Sequence, residues 1–401
     1  HEPVLFEKAK EDDENIFKLS EGAKCSWIKA DEASGFGPEK LWPRIEPWLT
    51  ALFQSEHLSL LIGSGLTRSI HRLTSPSDKQ LDMSVNEFTV FTDEINEAAN
   101  KSAEKIGRKK ANIEDQIRVA NELLVGLEHY CPETATFRGS KALRKNINKL
   151  RNEISEILNN FALSILHIEK SITTSPAKER EQAFGLLVSF LMSFASRTGT
   201  RDRLQVFTTN YDRLIEAGAE VAGMHLLDRF IGNLSPIFRS SRLNIDMHYN
   251  PPGIRGEPRY LEGVVRFTKL HGSIDWVYAN HDIRRIGLPF GADTVGPFLK
   301  ALGLEEGAAG NLMIYPNSAK DRETATYPYV ELFRDFAAAV CRPNSTLVTY
   351  GYGFGDEHIN RIIGDMLTIP STHLVIISYD DPIGMIMKTY EKIERPAQMT
   401  L

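Results

Sequence analysis

His57-Leu58-Ser59-Leu60-Leu61-Ile62-Gly63-Ser64-Gly65-Leu66-Thr67 is the stretch on which the fold turns. Through Ile62 it is a short apolar run, and glycine ends it, which suits a buried parallel strand feeding a tight turn. In the turn, two glycines spaced by one residue allow the backbone close to a pyrophosphate, and the N–H groups of a following helix start can hold its charge. The third glycine of the GxGxxG fingerprint is missing, because Arg68 stands in its place. An ordinary glycine turn is therefore the competing reading, and the rest of the chain has to decide.

Working outward, the same strand-then-polar pattern returns after residue 200. Strands are predicted at Leu204–Thr208, Val264–Leu270, Leu312–Tyr315, Thr346–Tyr350 and His373–Ser378, with helices over Asp212–Ala222, Pro328–Cys341, Glu357–Leu367 and Ile383–Ile393. This alternation implies an α/β fold, a doubly wound parallel Rossmann-like sheet whose ligands bind at the carboxyl ends of the strands. From Asn86 to Arg197 the strand-like runs vanish and helix formers dominate, with Pro132 and Pro176 expected to separate helices. The expected organisation is an N-terminal arm and helix over residues 1–56, a core over 57–85 and 198–401, and a helical insertion over 86–197. Within the arm an acidic cluster runs from Glu11 to Glu14, and a helix is expected from Trp42. The basic run Arg144, Lys145, Lys149 and Arg151 reads as a solvated helix face, with a partner or nucleic-acid surface as the alternative.

Three further motifs stand at predicted strand ends. Thr208-Thr209-Asn210-Tyr211-Asp212 crowds polar side chains over the crevice, where Asn210 could hold a ribose hydroxyl or a water. Helix capping by Asn210 or Asp212 is the alternative. Lys269-Leu270-His271-Gly272-Ser273-Ile274-Asp275-Trp276 places a histidine where an imidazole can act as general base, although a structural histidine is the simpler account. Trp276 is expected in the core or in a pocket wall. Gly351-Tyr352-Gly353-Phe354-Gly355-Asp356-Glu357-His358-Ile359-Asn360 alternates glycines in a way that favours close approach of backbone to a ligand, with Asp356 as a helix cap.

Composition narrows the classes further. The 401 residues carry 47 Lys+Arg against 53 Asp+Glu, a net charge of −6, which argues against nucleic-acid binding driven by bulk charge. Cys25, Cys131 and Cys341 are the three cysteines, far apart and with no CxxC pair, so one chain cannot build a four-cysteine zinc site. A sparse, odd cysteine count fits a reducing compartment, and no apolar run reaches bilayer length, so a cytoplasmic location and no membrane association are expected.

Glycine loop, Thr-x-Asn-x-Asp, Leu-His-Gly and a late glycine-rich strand end, in that order, resemble the sirtuin-like NAD-binding family. The Gly351–Asn360 string looks like the version found in bacterial antiphage NADases, some of which act beside a HerA-type ATPase. The resemblance implies NAD as substrate and no zinc. It assigns Asn210, Asp212 and His271 to catalysis: Asn210 orients the nicotinamide ribose or the attacking water, Asp212 supports it, and His271 is the base. Gly63, Ser64, Gly65 and Thr67 would hold the pyrophosphate, Gly351, Gly353 and Phe354 the adenosine side and Ser378 the adenine ribose, with Thr209 and His358 as further NAD-binding candidates. The implied reaction is hydrolysis of NAD to nicotinamide and ADP-ribose, with a protein deacylase, an ADP-ribosyltransferase or a non-catalytic NAD or ADP-ribose sensor as alternatives. A homo-oligomer is expected, with a HerA-type ATPase as a candidate partner and nucleic acid reached only through such a complex. The sequence departs from sirtuin deacetylases in lacking their zinc cysteines and in running Arg68-Ser69-Ile70-His71-Arg72 after the glycine loop.

Overall fold

A computed structural model describes residues 6–8, 16–20, 25–29, 35–75, 86–105, 108, 110–196, 202–241, 245–249, 259–304, 312, 327–379, 381 and 384–401. Near the N-terminus β1 (Phe6–Lys8) and β2 (Phe17–Leu19) form an antiparallel pair. The central sheet contains β3 (His57–Ile62), β4 (Gln205–Thr208), β5 (His225–Leu227), β10 (Val264–Lys269), β13 (Ser345–Tyr350), β14 (His373–Ile377) and β15 (Met399–Thr400). Its order is β15-β14-β13-β3-β4-β10-β5, and every pairing in it is parallel. The sequence-based α/β reading with a doubly wound parallel sheet therefore holds.

Alternation of side chains along each strand explains why these runs read as continuously apolar. Leu58, Leu60 and Ile62 of β3 face one layer with Val206, Val265, Phe267, Val348 and Val375, whereas Leu61 faces the other with Phe207, Leu347, Leu374 and Ile376. Both faces are covered, as a parallel sheet requires. The first layer is built by α1 (Pro38–Phe53), α2 (Ser64–Thr74), α6 (Ala177–Ala195), α7 (Leu214–Val221) and the end of α5 (Ser140–Thr174). The second is built by α9 (Tyr329–Val340), α10 (Glu357–Met366) and α11 (Met385–Ile393). Because α2 follows β3 on one face and α10 follows β13 on the other, the connections of these neighbouring strands diverge, which makes the β3–β13 boundary the topological switch point.

The helical stretch divides by its packing. α3 (Thr92–Lys105), α4 (Ile113–Tyr130) and much of α5 share a separate core with Tyr211, Val277 and Leu288. By contrast, Ala183, Leu187, Leu191 and Phe194 of α6 lie against the central sheet. α6 is therefore a covering layer of the sheet, although the sequence places it in the 86–197 insertion. Pro132 and Pro176 do separate helices, Pro176 as the N-cap of α6. Arg144 and Arg151 spend their guanidinium groups locally, on Glu133 and Ala135 carbonyls and on Glu128 respectively.

A small antiparallel sheet that the sequence did not disclose contains β6 (Phe230–Ile231), β7 (Ile237–Phe238), β11 (Trp276–Ala279) and β12 (Asp282–Arg285), in the order β11-β12-β7-β6. β6 and β7, of two residues each, are below the length at which a period of two is readable, and β11 and β12, of four each, are at its lower limit. Trp276 is 4% exposed and packs in the core against Phe230. Another short pair is β8 (His248–Tyr249) with β9 (Arg259–Tyr260), and α8 (Gly296–Ala301) follows β12. Of the strand expected at Leu312–Tyr315, Leu312 bridges Val277 and the rest lies outside the described residues. In the arm, α1 starts at Pro38, earlier than Trp42, because Gly37 is extended at the N-cap and proline is suited to the first helical position. The acidic cluster Glu11–Glu14 lies outside the described residues. Among the described residues no helix is long and apolar enough to cross a membrane.

Candidate active site

Strand register sets the site. Ile62, Thr208, Lys269, Tyr350 and Ile377 are level across neighbouring strands. The residues that follow them, Gly63, Thr209, Leu270, Gly351 and Ser378, leave the sheet along one edge, with Asn210 and His271 one step beyond. The motifs on β3, β4, β10 and β13 thus converge at the carboxyl ends of adjacent strands.

Asn210 is buried, 7% exposed, and both hydrogens of its amide are committed. Nδ2 donates to the Gly63 carbonyl at 3.0 Å and to Thr67 Oγ1 at 3.1 Å. The Thr67 hydroxyl in turn donates to Asp212 Oδ2 at 2.8 Å, while Asp212 Oδ1 accepts from Leu214 N at 3.1 Å. Asp212 thus accepts both from the threonine that holds Asn210 and from the first N–H of α7, whereas the Asn210 side chain bonds no helix N–H. The amide oxygen of Asn210 has no partner among the described residues, so the side chain offers the crevice an acceptor only. Asp212 is fixed from a second side: buried Lys269 donates from Nζ to its carbonyl and to Glu216 Oε1. Burial pushes the Glu216 carboxyl above its ordinary range, with Lys269 pulling the other way.

His271 keeps 16% of its side chain exposed, and its Nε2 lies 2.7 Å from Asp356 Oδ2. A carboxylate only accepts, so Nε2 is the donor of this pair, and in the neutral ring the lone pair is then on Nδ1. Asp356 Oδ1 meanwhile accepts from His358 N at 3.0 Å, as the N-cap of α10. The sequence identified the cap and missed the histidine partner; two tasks fall on one carboxylate because β13 and β10 flank the same crevice. Beside His271 stands Tyr211, with ring centroids 6.3 Å apart. Its hydroxyl lies 3.4 Å from Glu114 Oε1 of α4, and burial, reinforced by Glu114, pushes the phenol well above its ordinary range. Tyr211 therefore keeps its proton beyond the ordinary phenol range.

The glycines prove to be close to one another. A Cβ on Gly63 would meet the Gly351 carbonyl oxygen at 2.5 Å, and one on Gly65 would meet Gly351 Cα at 2.5 Å. Gly351 also has φ +58°, and its carbonyl accepts from Gly65 N at 3.0 Å. At these three positions the close approach is of backbone to backbone, across the switch point. Gly353 is different: it is exposed, and a Cβ there would meet nothing within 4 Å.

The remaining predicted residues are distributed as follows. Ser64 is exposed at the start of α2, and Thr209 is half-buried with its N–H bonded to the Ile62 carbonyl at 3.2 Å. The Phe354 side chain is fully buried in the second layer, against Tyr352, so it faces the core and not the crevice; its carbonyl is engaged by Asn360. His358 packs edge-on to Phe333 of α9 with centroids 6.1 Å apart. Ser378 is exposed but stands four strand spacings from His271, roughly 19 Å at about 4.8 Å each. Among the described residues no group of three or more His, Cys, Asp or Glu is placed to hold a metal ion.

A comparison with curated proteins finds no match. Residues 204–395 match the family described as the SIR2-like domain. That segment holds Asn210, Asp212, His271, Gly351 and Asp356, whereas the Gly63–Thr67 loop precedes it and joins through the sheet register. Over residues 204–395 the chain is thus similar to SIR2-like domains, and a domain of that kind implies NAD binding.

Proposed function

We propose that the protein is an NAD glycohydrolase that cleaves NAD to nicotinamide and ADP-ribose. The observation that carries this reading is the pairing of an acceptor-only Asn210 with a tautomer-fixed His271 at neighbouring strand ends. As the bond from the anomeric carbon to nicotinamide breaks, positive charge develops on the ribose, and water adds at that carbon. Asn210 Oδ1 suits the hydroxyl or water that must be oriented, and the free lone pair of His271 suits the proton that water gives up. The exposed Gly353 backbone and the α2 start at Ser64 are suited to the phosphates and the adenosine.

In cells such an activity would deplete NAD, and the likeness of Gly351–Asn360 to the antiphage subgroup supports reading the protein as the effector of a bacterial antiphage system, as a homo-oligomer and with a HerA-type ATPase as candidate partner. Incubation of purified protein with NAD alone tests the chemistry. Nicotinamide and ADP-ribose should appear in equal amounts without any acyl peptide, and Asn210→Ala and His271→Ala should each lower the rate about 100-fold or more. Turnover that strictly requires an acylated peptide would overturn the hydrolase in favour of a deacylase. Tight NAD binding with no product in any condition would leave a sensor.

A further inference from the structure

The residue after Asp212 is tied to the helical insertion. Arg213 is 6% exposed and Glu169 of α5 is 1% exposed, and the two form a buried pair. Glu169 Oε1 accepts from the Arg213 backbone N–H at 2.9 Å and from its Nε at 3.2 Å, while Oε2 accepts from Nη2 and, at 3.4 Å, from Gly291 N. The rest of the guanidinium donates to the carbonyls of Leu288 and Pro289. One insertion carboxylate therefore gathers the catalytic strand end and the loop that follows β12.

Two independent features mark the same contact. Gly291 has φ +80°, and a Cβ there would stand 2.5 Å from Thr173 Oγ1, so only glycine lets this loop reach α5. On the other flank of the motif, Tyr211 packs edge-on to Phe161 of α5 with centroids 5.8 Å apart and bonds Glu114 of α4. Asn210 and Asp212 thus sit in a four-residue stretch whose other two side chains, Tyr211 and Arg213, are both held by the insertion.

We infer that Glu169 is a positioning residue for the catalytic strand end, through which the insertion sets whether Asn210 and Asp212 stand in register with His271. The kinetic arm of this inference rests on the NAD-cleaving reading; the structural arm does not. Any contact that displaces α5 acts on the site through this carboxylate, which gives oligomerisation or a partner a route to the chemistry without touching the crevice.

Glu169→Gln is the test, because it keeps an acceptor toward Arg213 N and Nε while turning an N–H₂ toward Nη2 and Gly291 N. Nicotinamide release should fall about 100-fold in kcat, as for a misplacement of a reacting group by about 1 Å, with KM for NAD within about threefold. Hydrogen exchange should rise in residues 209–214 and stay unchanged in β13 and β14. Gly291→Ala should reproduce both effects from the other side of the contact, and Lys101→Ala on the exposed face of α3 should change neither. Wild-type rate and unaltered exchange at 209–214 in Glu169→Gln would overturn the inference. So would exchange that rises equally through the central strands, since that marks general loosening. If Glu169→Gln fails to fold, Gly291→Ala decides by the same readouts. If the wild-type protein itself releases no nicotinamide, the hydrolase reading fails, and the exchange pattern still decides whether Glu169 positions the loop.

Discussion

Asp356→Asn separates two tasks that one carboxylate performs. Oδ1 caps α10 through His358 N at 3.0 Å, and Oδ2 faces His271 Nε2 at 2.7 Å. Asparagine is as good an N-cap as aspartate, so the helix start should survive, with a stability change below about 1 kcal/mol. Toward His271, however, the new amide presents an N–H where an acceptor stood. Nε2 must then accept, the ring proton moves to Nδ1, and the nitrogen left for the crevice no longer has a lone pair. A base held in the wrong tautomer costs a rate factor of about 10³ to 10⁴, or about 4 to 5.5 kcal/mol of barrier. The assay is initial-rate nicotinamide release at saturating NAD, beside thermal unfolding of the same sample and ¹⁵N shifts of the His271 ring. Asp356→Ala, which also removes the cap, should lose about 1 kcal/mol of stability in addition. An Asp356→Asn enzyme within threefold of wild-type kcat, while His271→Ala is dead, would refute the tautomer argument.

Gly65→Ala places a methyl 2.5 Å from Gly351 Cα, a contact between two backbones that have nowhere to yield, and should cost roughly 3 kcal/mol, read as a lowered unfolding temperature. Gly353→Ala, with open space around it, should leave that temperature unchanged. Thr67→Val keeps the shape but removes the acceptor of Asn210 and the donor to Asp212, and should cost about 1 to 3 kcal/mol for each buried group left unpaired, together with much of the NAD-cleaving rate. Burial holds His373 below its ordinary value of 6.5, so the unfolded chain takes up this proton first. Stability from this group is present above about pH 6.5 and is lost as pH falls through the depressed folded value; His373→Gln should flatten that acid limb in pH-dependent denaturant titrations.

What the sequence made legible was whatever depends on neighbours in the chain. The β3 run with its glycine, the strand-to-motif junctions at Thr208, Lys269 and Tyr350, and the helices after residue 328 are local patterns, and the structure reproduces them within a residue or two. Illegible were the pairings between distant residues. Asp356 reads as a cap from its own neighbourhood, and only the β10–β3–β13 arrangement reveals His271 on its far side. Glu169 reads as one polar position in a helical stretch, and Lys269 as a residue near the end of a strand; burial of both is decided by partners 44 and 57 positions away. Phe354 shows the converse failure, since alternating glycines suggested a ligand loop and gave no sign that the aromatic between them turns into the core.

The glycine geometry also changes what the two glycine motifs mean. If Gly63, Gly65 and Gly351 were chosen to admit a ligand, their missing Cβ atoms would open onto the crevice, and they open onto one another. Their effect is to bring the β3 and β13 strand ends into contact at the switch point, which lets the Gly63 carbonyl receive Asn210. Asn210, Thr67 and Asp212 are then satisfied by the fold itself, leaving one amide oxygen toward the crevice. A site whose donors are committed before any ligand arrives needs no reorganisation as charge develops on a ribose, and that is the condition under which fixed dipoles are most effective. The close glycines thus hold the acceptor still, which on the proposed NAD-cleaving reading serves catalysis, and the insertion grips the same strand end from Tyr211 and Arg213.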